Sequence, residues 1–128
     1  MLKTWSPQLL SILRVVAAFL YLLHGSQKLF GIPPRPSGAA IELASRLGAA
    51  GMIEIVGGTL ILLGLFTGPA AFICSGEMAF AYFLAHAPRG LVPLTNGGEL
   101  PILYCFIFLY LAAAGGGAWS LDALRRAP

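Results

Sequence analysis

Four long apolar stretches dominate the order of hydrophobic and polar positions along this chain. They cover about residues 9–30, 48–66, 70–86 and 101–114. Each is close to the ~20 residues that a helix needs to cross a ~30 Å hydrocarbon layer. No stretch alternates between apolar and polar positions as a half-buried strand does. Because lipid offers no partner to backbone polar groups, such segments must be helical. The pattern therefore predicts an all-α membrane protein.

Glycine and proline mark the ends of these stretches. The first ends at Gly31, ahead of two prolines, and a short turn of Thr67-Gly68-Pro69 joins the second to the third. Pro88 stops the third stretch, and a run of three glycines that starts at Gly115 follows the fourth. Four crossings joined in this way predict an antiparallel four-transmembrane-helix bundle, formed by a single domain of residues 1–128.

Two shorter segments are also expected to be helical. Residues 41–44 in the first loop are predicted to extend the second helix towards its N-terminus. Ser120-Leu121-Asp122 predicts the capped start of a short C-terminal surface helix that ends at Arg125 and Arg126. Four crossings place both termini on one side of the membrane. Basic residues are divided equally between the two sides, and the adjacent arginine pair favours cytoplasmic termini.

The composition supports lipid as the main solvent of the chain. Only 10% of the 128 residues are charged and 58% are hydrophobic, whereas a soluble domain has about 25% charged residues. The net charge of +3 comes from scattered residues, which favours lipid head groups over nucleic acid as partners. Cys74 and Cys105 lie in separate apolar stretches without metal-ligand or haem-attachment spacing. We predict no metal site and no cofactor motif.

Ionisable side chains inside the apolar stretches are the candidate functional residues. A charge at the bilayer centre costs ~2.5–3.5 kcal/mol and therefore needs a partner. Arg14 and Lys28 fall on one stripe of the first helix together with small residues, and Glu54 shares a face of the second helix with glycines. Arg14 and Glu77 are expected to form a structural ion pair towards one side of the membrane. Six candidates for ligand binding or proton handling are expected to converge towards the other side: His24, Lys28, Glu54, His86, Asn96 and Glu99.

Two interpretations of this larger group stay open. In the first, its charges are architectural and fix the register of the helices. In the second, the group binds a quinone against the aromatic residues 104–110 of the fourth stretch. His24 and Lys28 then bind the quinone carbonyl, and Glu54 and Glu99 handle the protons. Two histidines alone make a haem or metal site the weakest alternative.

Several motifs, in order along nearly the whole chain, resemble those of the DoxX family. The first helix carries His24-Gly25-Ser26-Gln27-Lys28-Leu29-Phe30-Gly31, which is similar to the family signature H-G-x-x-K-x-F-G. The other matching segments are Gly51-Met52-Ile53-Glu54-Ile55-Val56-Gly57-Gly58, Gly64-Leu65-Phe66-Thr67, Gly76-Glu77-Met78-Ala79-Phe80-Ala81-Tyr82-Phe83, His86-Ala87-Pro88, Pro93, Asn96-Gly97-Gly98-Glu99 and Ser120-Leu121-Asp122.

The resemblance implies a four-helix, multi-pass protein of the bacterial inner membrane. The family is named after a subunit of an archaeal thiosulfate:quinone oxidoreductase, so the resemblance implies protein partners in a membrane complex. The matching motifs contain the candidate residues, which implies a shared ligand or partner role for them. The resemblance leaves open whether this chain is itself an enzyme. The alternatives are an accessory or assembly subunit without a substrate, and a transporter. Four helices enclose little space, so a transporter would require a homo-oligomer.

Overall fold

The computed structural model describes residues 1–127, so Pro128, the last residue of the predicted domain, lies outside it. The described part is all-helical and contains no strand. Its α-helices are α1 (Ser6–Phe30), α2 (Arg46–Leu63), α3 (Thr67–Ala81), α4 (Pro93–Asn96), α5 (Glu99–Ala114) and α6 (Leu121–Arg126). Three helical stretches are long and apolar enough to cross a membrane: Leu2–Phe30, Arg46–Leu63 and Thr67–Arg89. The apolar helix α5 is shorter, with 16 residues.

The ends of α1 follow from local backbone chemistry. A short 3-10 helix, Leu2–Trp5, leads into α1, which begins three residues earlier than predicted. Pro7 is tolerated there because the first turn of a helix has no partner for its N–H groups. Gly31 ends the helix as predicted, with φ of 66° and its N–H bonded to the Gln27 carbonyl.

The predicted boundaries around α2 and α3 need correction. Residues 41–44 do not extend α2, which begins at Arg46 because the Ser45 hydroxyl caps it by accepting from the Gly48 N–H at 3.1 Å. At its other end, Gly64 adopts a left-handed conformation and stops α2 after Leu63. The turn to the next helix is therefore at residues 64–66, and the predicted turn at 67–69 is instead the first turn of α3.

The segment after α3 is more irregular than predicted. A π-helical turn (Tyr82–His86) and a 3-10 turn (Ala87–Arg89) follow α3, so the regular helix ends at Ala81. A single helical turn, α4, then precedes α5. The predicted C-terminal helix is confirmed as α6, and the Ser120 hydroxyl caps it by accepting from the Ala123 N–H at 3.1 Å.

The core lies between the four longer helices, α1, α2, α3 and α5. α1 packs mainly on α2, α5 packs mainly on α3, and α2 and α3 join the two pairs. Each of these helices also leaves large apolar side chains exposed, for example Phe19, Val56, Phe72 and Phe106, which are 54–65% accessible. Because such a surface is unfavourable in water, it fits a surrounding lipid phase.

Candidate functional site

Glycines allow α1 and α2 to approach closely, which brings their polar side chains together. A Cβ on Gly25 would lie 2.8 Å from the Cβ of Glu54, and one on Gly58 would lie 2.9 Å from the side chain of Leu22. A Cβ on Gly51 would lie 2.9 Å from Leu29. Contacts of this kind are typical of helix pairs in membranes.

Lys28 and Glu54 form an ion pair across this contact. The Lys28 ammonium donates to both carboxylate oxygens, at 2.6 Å to Oε1 and 2.8 Å to Oε2. The Glu54 side chain is completely buried, whereas 21% of the Lys28 side chain is accessible. A buried carboxylate of this kind needs such a partner. Two of the six predicted site residues are therefore in direct contact.

Glu77 is the second carboxyl group in the bundle, and its surroundings differ from those of Glu54. The Tyr21 hydroxyl donates to Glu77 Oε2 at 3.0 Å. The Tyr21 ring, completely buried, packs on Phe108 with 4.8 Å between ring centroids and on Tyr104 with 5.6 Å. The ion pairs in residues 1–127 do not include Glu77. Its only hydrogen-bond partner in the described chain is a phenol.

The predicted ion pair between Arg14 and Glu77 is therefore wrong. The buried guanidinium of Arg14 instead donates to four backbone carbonyls. Nε bonds Gly116 at 2.8 Å, Nη2 bonds Trp119 at 2.6 Å, and Nη1 bonds Ile61 at 2.6 Å and also Leu62. Two of these carbonyls lie in the last turn of α2, where helix carbonyls lack partners and a positive charge is favourable. They replace the carboxylate that the sequence predicts as the partner of Arg14.

The same end of the protein is closed by residues 115–126. The Trp119 N–H donates to the Ser11 hydroxyl at 2.9 Å. The Asp122 carboxylate accepts from the N–H groups of Phe66 and Thr67, both at 2.9 Å, and so caps α3 from a distant part of the chain. Burial by itself raises the pKa of Asp122, but the hydrogen bonds from Thr67 and Phe66 and the nearby Arg125 outweigh it. The pKa is therefore below its usual value.

Aromatic rings connect Glu77 to His24. His24 meets the Tyr104 ring edge-on at 5.9 Å between centroids, and Tyr104 stacks on Phe108 at 5.6 Å. We define the polar–aromatic cluster as the side chains of α1, α2, α3 and α5 in this region: Tyr21, His24, Lys28, Glu54, Glu77 and Tyr104. It contains three of the six predicted site residues.

The other three predicted residues do not join this cluster. His86 Nδ1 lies 3.1 Å from the Asn96 carbonyl, and the buried Asn96 amide bonds Gly90 and the Tyr82 hydroxyl. Glu99 is exposed in the first turn of α5. Within residues 1–127, no hydrogen bond or ion pair connects this loop group to the polar–aromatic cluster. The predicted convergence of six residues is therefore not formed, because the irregular turns after α3 engage His86 and Asn96 with each other.

Two aromatic partners in these groups, Tyr21 and Tyr82, are not among the site residues that the sequence predicts. Tyr21 lies four residues before Gly25 and seven before Lys28, so its helical spacing already placed it on the polar stripe. Tyr82, which stacks on His86 and accepts from Asn96, has no comparable signal because it lies in the π-helical turn. In the described residues, no three His, Cys, Asp or Glu side chains are grouped as metal ligands.

Comparison with known proteins identifies related sequences. The family model described as DoxX matches residues 9–87, which contain Tyr21, His24, Lys28, Glu54 and Glu77. A protein of Haemophilus influenzae, described only as uncharacterized, is 46% identical over 125 residues, covering 94% of this chain and 93% of that protein. A second uncharacterized protein of this organism is 31% identical over 71 residues, covering 56% of this chain and 47% of that protein. No solved structure matches this chain.

Proposed function

We propose, from the premise that the chain belongs to the DoxX family, that it is a membrane subunit that binds a quinone for oxidoreductase chemistry. The proposed site is the polar–aromatic cluster. The observation that carries the proposal is the position of Tyr21, whose hydroxyl contacts Glu77 while its ring packs on Tyr104 and Phe108. Aromatic surface and a proton-carrying group are the two things that a quinone head group requires.

The proposal includes a multi-pass bundle of four antiparallel transmembrane helices in the bacterial inner membrane. Contacts between α1 and α2 support the antiparallel arrangement. Along this contact the residue numbers rise on one helix as they fall on the other. Lys28 and Leu29 lie next to Gly51, Tyr21 lies next to Gly58, and Arg14 bonds Ile61. At 1.5 Å per residue, α5 spans about 24 Å, close to the ~30 Å of the hydrocarbon layer. Both termini are then on one side, which we assign to the cytoplasm.

The chemistry assigned to each side chain follows from its contacts. Lys28 is the accessible cation of the cluster and donates to a quinone carbonyl, with His24 as the second donor. Glu77 exchanges the proton, because a change in its protonation breaks no ion pair. Glu54 holds Lys28 in place. This assignment differs from the sequence-based one, which gave proton handling to Glu54 and Glu99. The electrons come from a partner redox protein in the same membrane.

Quinone binding by purified variants tests this function. Protein in lipid nanodiscs is titrated with a short-tailed ubiquinone by calorimetry, for wild type, Lys28→Met, Glu77→Gln and the matched control Lys3→Met. Loss of one hydrogen bond to a charged group is worth about 1.5–3 kcal/mol, so Lys28→Met should bind at least about tenfold more weakly. Lys3→Met should bind like the wild type.

The variants also separate folding from binding. Circular dichroism of each variant verifies that the helix content is unchanged before binding is compared. Equal quinone affinity in all four proteins, or no binding by the wild type, would contradict the proposed site. Loss of quinone binding in Lys3→Met as well would also contradict the site, because the loss would then not be specific to Lys28.

A second candidate function is an accessory or assembly subunit without a substrate. The observation that favours it is the complete burial of Glu54, whose two oxygens are both occupied by Lys28. In that case the ion pair locks α1 to α2 so that the bundle can dock on a partner or on a second copy. Crosslinking in native membranes would then capture a redox protein, and Glu54→Gln would reduce that crosslink without any effect of quinone.

A further inference from the structure

An open groove of about 640 Å³ lies between the start of α1 and the end of α5, away from the polar–aromatic cluster. Lys3 and Ser6 line one end, Leu9, Leu10 and Leu13 line its length, and Tyr110 of α5 contributes the other wall. The groove is therefore polar at one end and apolar along the rest.

The length of the groove matches one leaflet of a bilayer. Ten residues separate Lys3 from Leu13, and at 1.5 Å per residue this corresponds to about 15 Å. Half of a ~30 Å hydrocarbon layer is the same length. Trp5 lies next to the polar end and is 54% accessible, as expected for a residue at the interface between lipid and water.

The charge at the polar end is positive. Lys3 is exposed, and the ion pairs in the described residues do not include it. An adjacent groove shares Ser6 and Leu10 and contains Arg126. The acid in that groove, Asp122, is already bonded to the N–H groups that begin α3 and lies 3.8 Å from Arg125. Lys3 and Arg126 therefore both line grooves that contain Ser6, and the ion pairs of the described residues include neither of them.

We propose that this groove binds one anionic phospholipid. The phosphate lies against Lys3 and Ser6, and one acyl chain runs along Leu9 and Leu13 against Tyr110. The positive end of the groove and its apolar part, which is as long as one leaflet, together complement a lipid with a negative head group. A zwitterionic lipid carries the same phosphate, but its cationic head group is repelled by Lys3. A partner helix without an anionic group matches only the apolar part of the groove.

Native mass spectrometry of the full chain tests the site. Wild type, Lys3→Met, Lys3→Arg and the control Arg35→Met are released from mixed micelles that contain phosphatidylglycerol or phosphatidylcholine with identical acyl chains. A basic residue near anionic lipid is worth roughly a fivefold change in binding. Wild type should retain phosphatidylglycerol about fivefold better than phosphatidylcholine. Lys3→Met should lose this preference, whereas Lys3→Arg and Arg35→Met should keep it.

A photoreactive phosphatidylglycerol locates the acyl chain. With a diazirine near the middle of the chain, the label should appear on peptides that contain Leu9, Leu13 or Tyr110. Equal retention of the two lipids by the wild type, an equal loss in Arg35→Met, or labels confined to other helices would overturn the proposal. Because Lys3→Met is the control for quinone binding and Lys28→Met leaves this groove intact, failure of one proposal is distinguishable from failure of the other.

Discussion

Replacement of Arg14 by methionine tests how a buried charge is held in this bundle. Methionine keeps much of the length and apolar volume of the arginine side chain but removes every N–H donor. Four carbonyls then lose a bond. The Gly116 carbonyl still accepts from the Ser11 hydroxyl at 3.2 Å, and the Ile61 carbonyl still accepts from the Gly64 N–H at 3.0 Å. The carbonyls of Leu62 and Trp119 are left without a donor.

These contacts set the expected magnitude. Leaving a buried polar group unsatisfied costs about 1–3 kcal/mol. The carbonyls of Leu62 and Trp119 are only partly buried, so each takes the lower end of this range, and Arg14→Met should lose about 2 kcal/mol in the free energy of unfolding. Glu77→Gln should cost about 1 kcal/mol or less, because the Tyr21 hydroxyl can donate to the amide oxygen as it does to the carboxylate.

The assay is equilibrium unfolding in mixed micelles, followed by circular dichroism as dodecyl sulfate is added to dodecyl maltoside. Wild type, both single variants and the double variant form a thermodynamic cycle. Arg14 and Glu77 share no partner, so their effects should add to within about 0.5 kcal/mol. A coupling of more than about 1 kcal/mol, or a Glu77→Gln variant as unstable as Arg14→Met, would mean that the two residues form an ion pair after all.

Three further predictions concern helix contacts and caps. Gly25→Ala should lower the free energy of unfolding by about 1–3 kcal/mol because its Cβ meets Glu54, whereas the control Gly76→Ala has open space and should be neutral or slightly stabilising in the same assay. Lys28→Met should cost about 3–5 kcal/mol by leaving the buried Glu54 unpaired, and Glu54→Leu in the same chain should recover most of this loss; no recovery would argue against an ion pair. Asp122→Asn should cost about 1 kcal/mol at pH 7 by weakening the cap of α3. Since the pKa of Asp122 is lower in the folded state, its stabilisation is present above the unfolded value of about 3.9 and is lost as the pH falls through the folded value. A difference from wild type that does not shrink as the pH falls below about 3.9 would contradict this.

The helices could be predicted because their signals are local. Apolar stretches long enough to span lipid identify α1, α2 and α3, and Gly31 ends α1 where the sequence places the end. The start of α3 could not be placed in the same way. Its cap is the carboxylate of Asp122, more than fifty residues away, and no local pattern at Thr67 reports that contact.

Contacts of the candidate site could be predicted from the sequence where one side chain binds another, but not where a side chain binds the backbone. The contact between Lys28 and Glu54 follows from two helix faces that carry both glycines and a charge. The partners of Arg14 are carbonyls, which every residue has, so the sequence contains no signal for them. The sequence therefore predicts a carboxylate, Glu77, as the partner of Arg14, whereas the structure gives Arg14 backbone carbonyls.

The partners of Arg14 and Lys28 decide which carboxyl group is the better candidate for proton transfer. With Arg14 satisfied by carbonyls and Lys28 paired with Glu54, no cation in the described chain is paired with Glu77. Protonation of Glu54 would leave the Lys28 ammonium without its partner in the bundle. Protonation of Glu77 disturbs only one hydrogen bond from Tyr21. Because an ion pair resists a change of charge and a phenol contact permits it, a proton transferred in this bundle is carried at lower cost by Glu77.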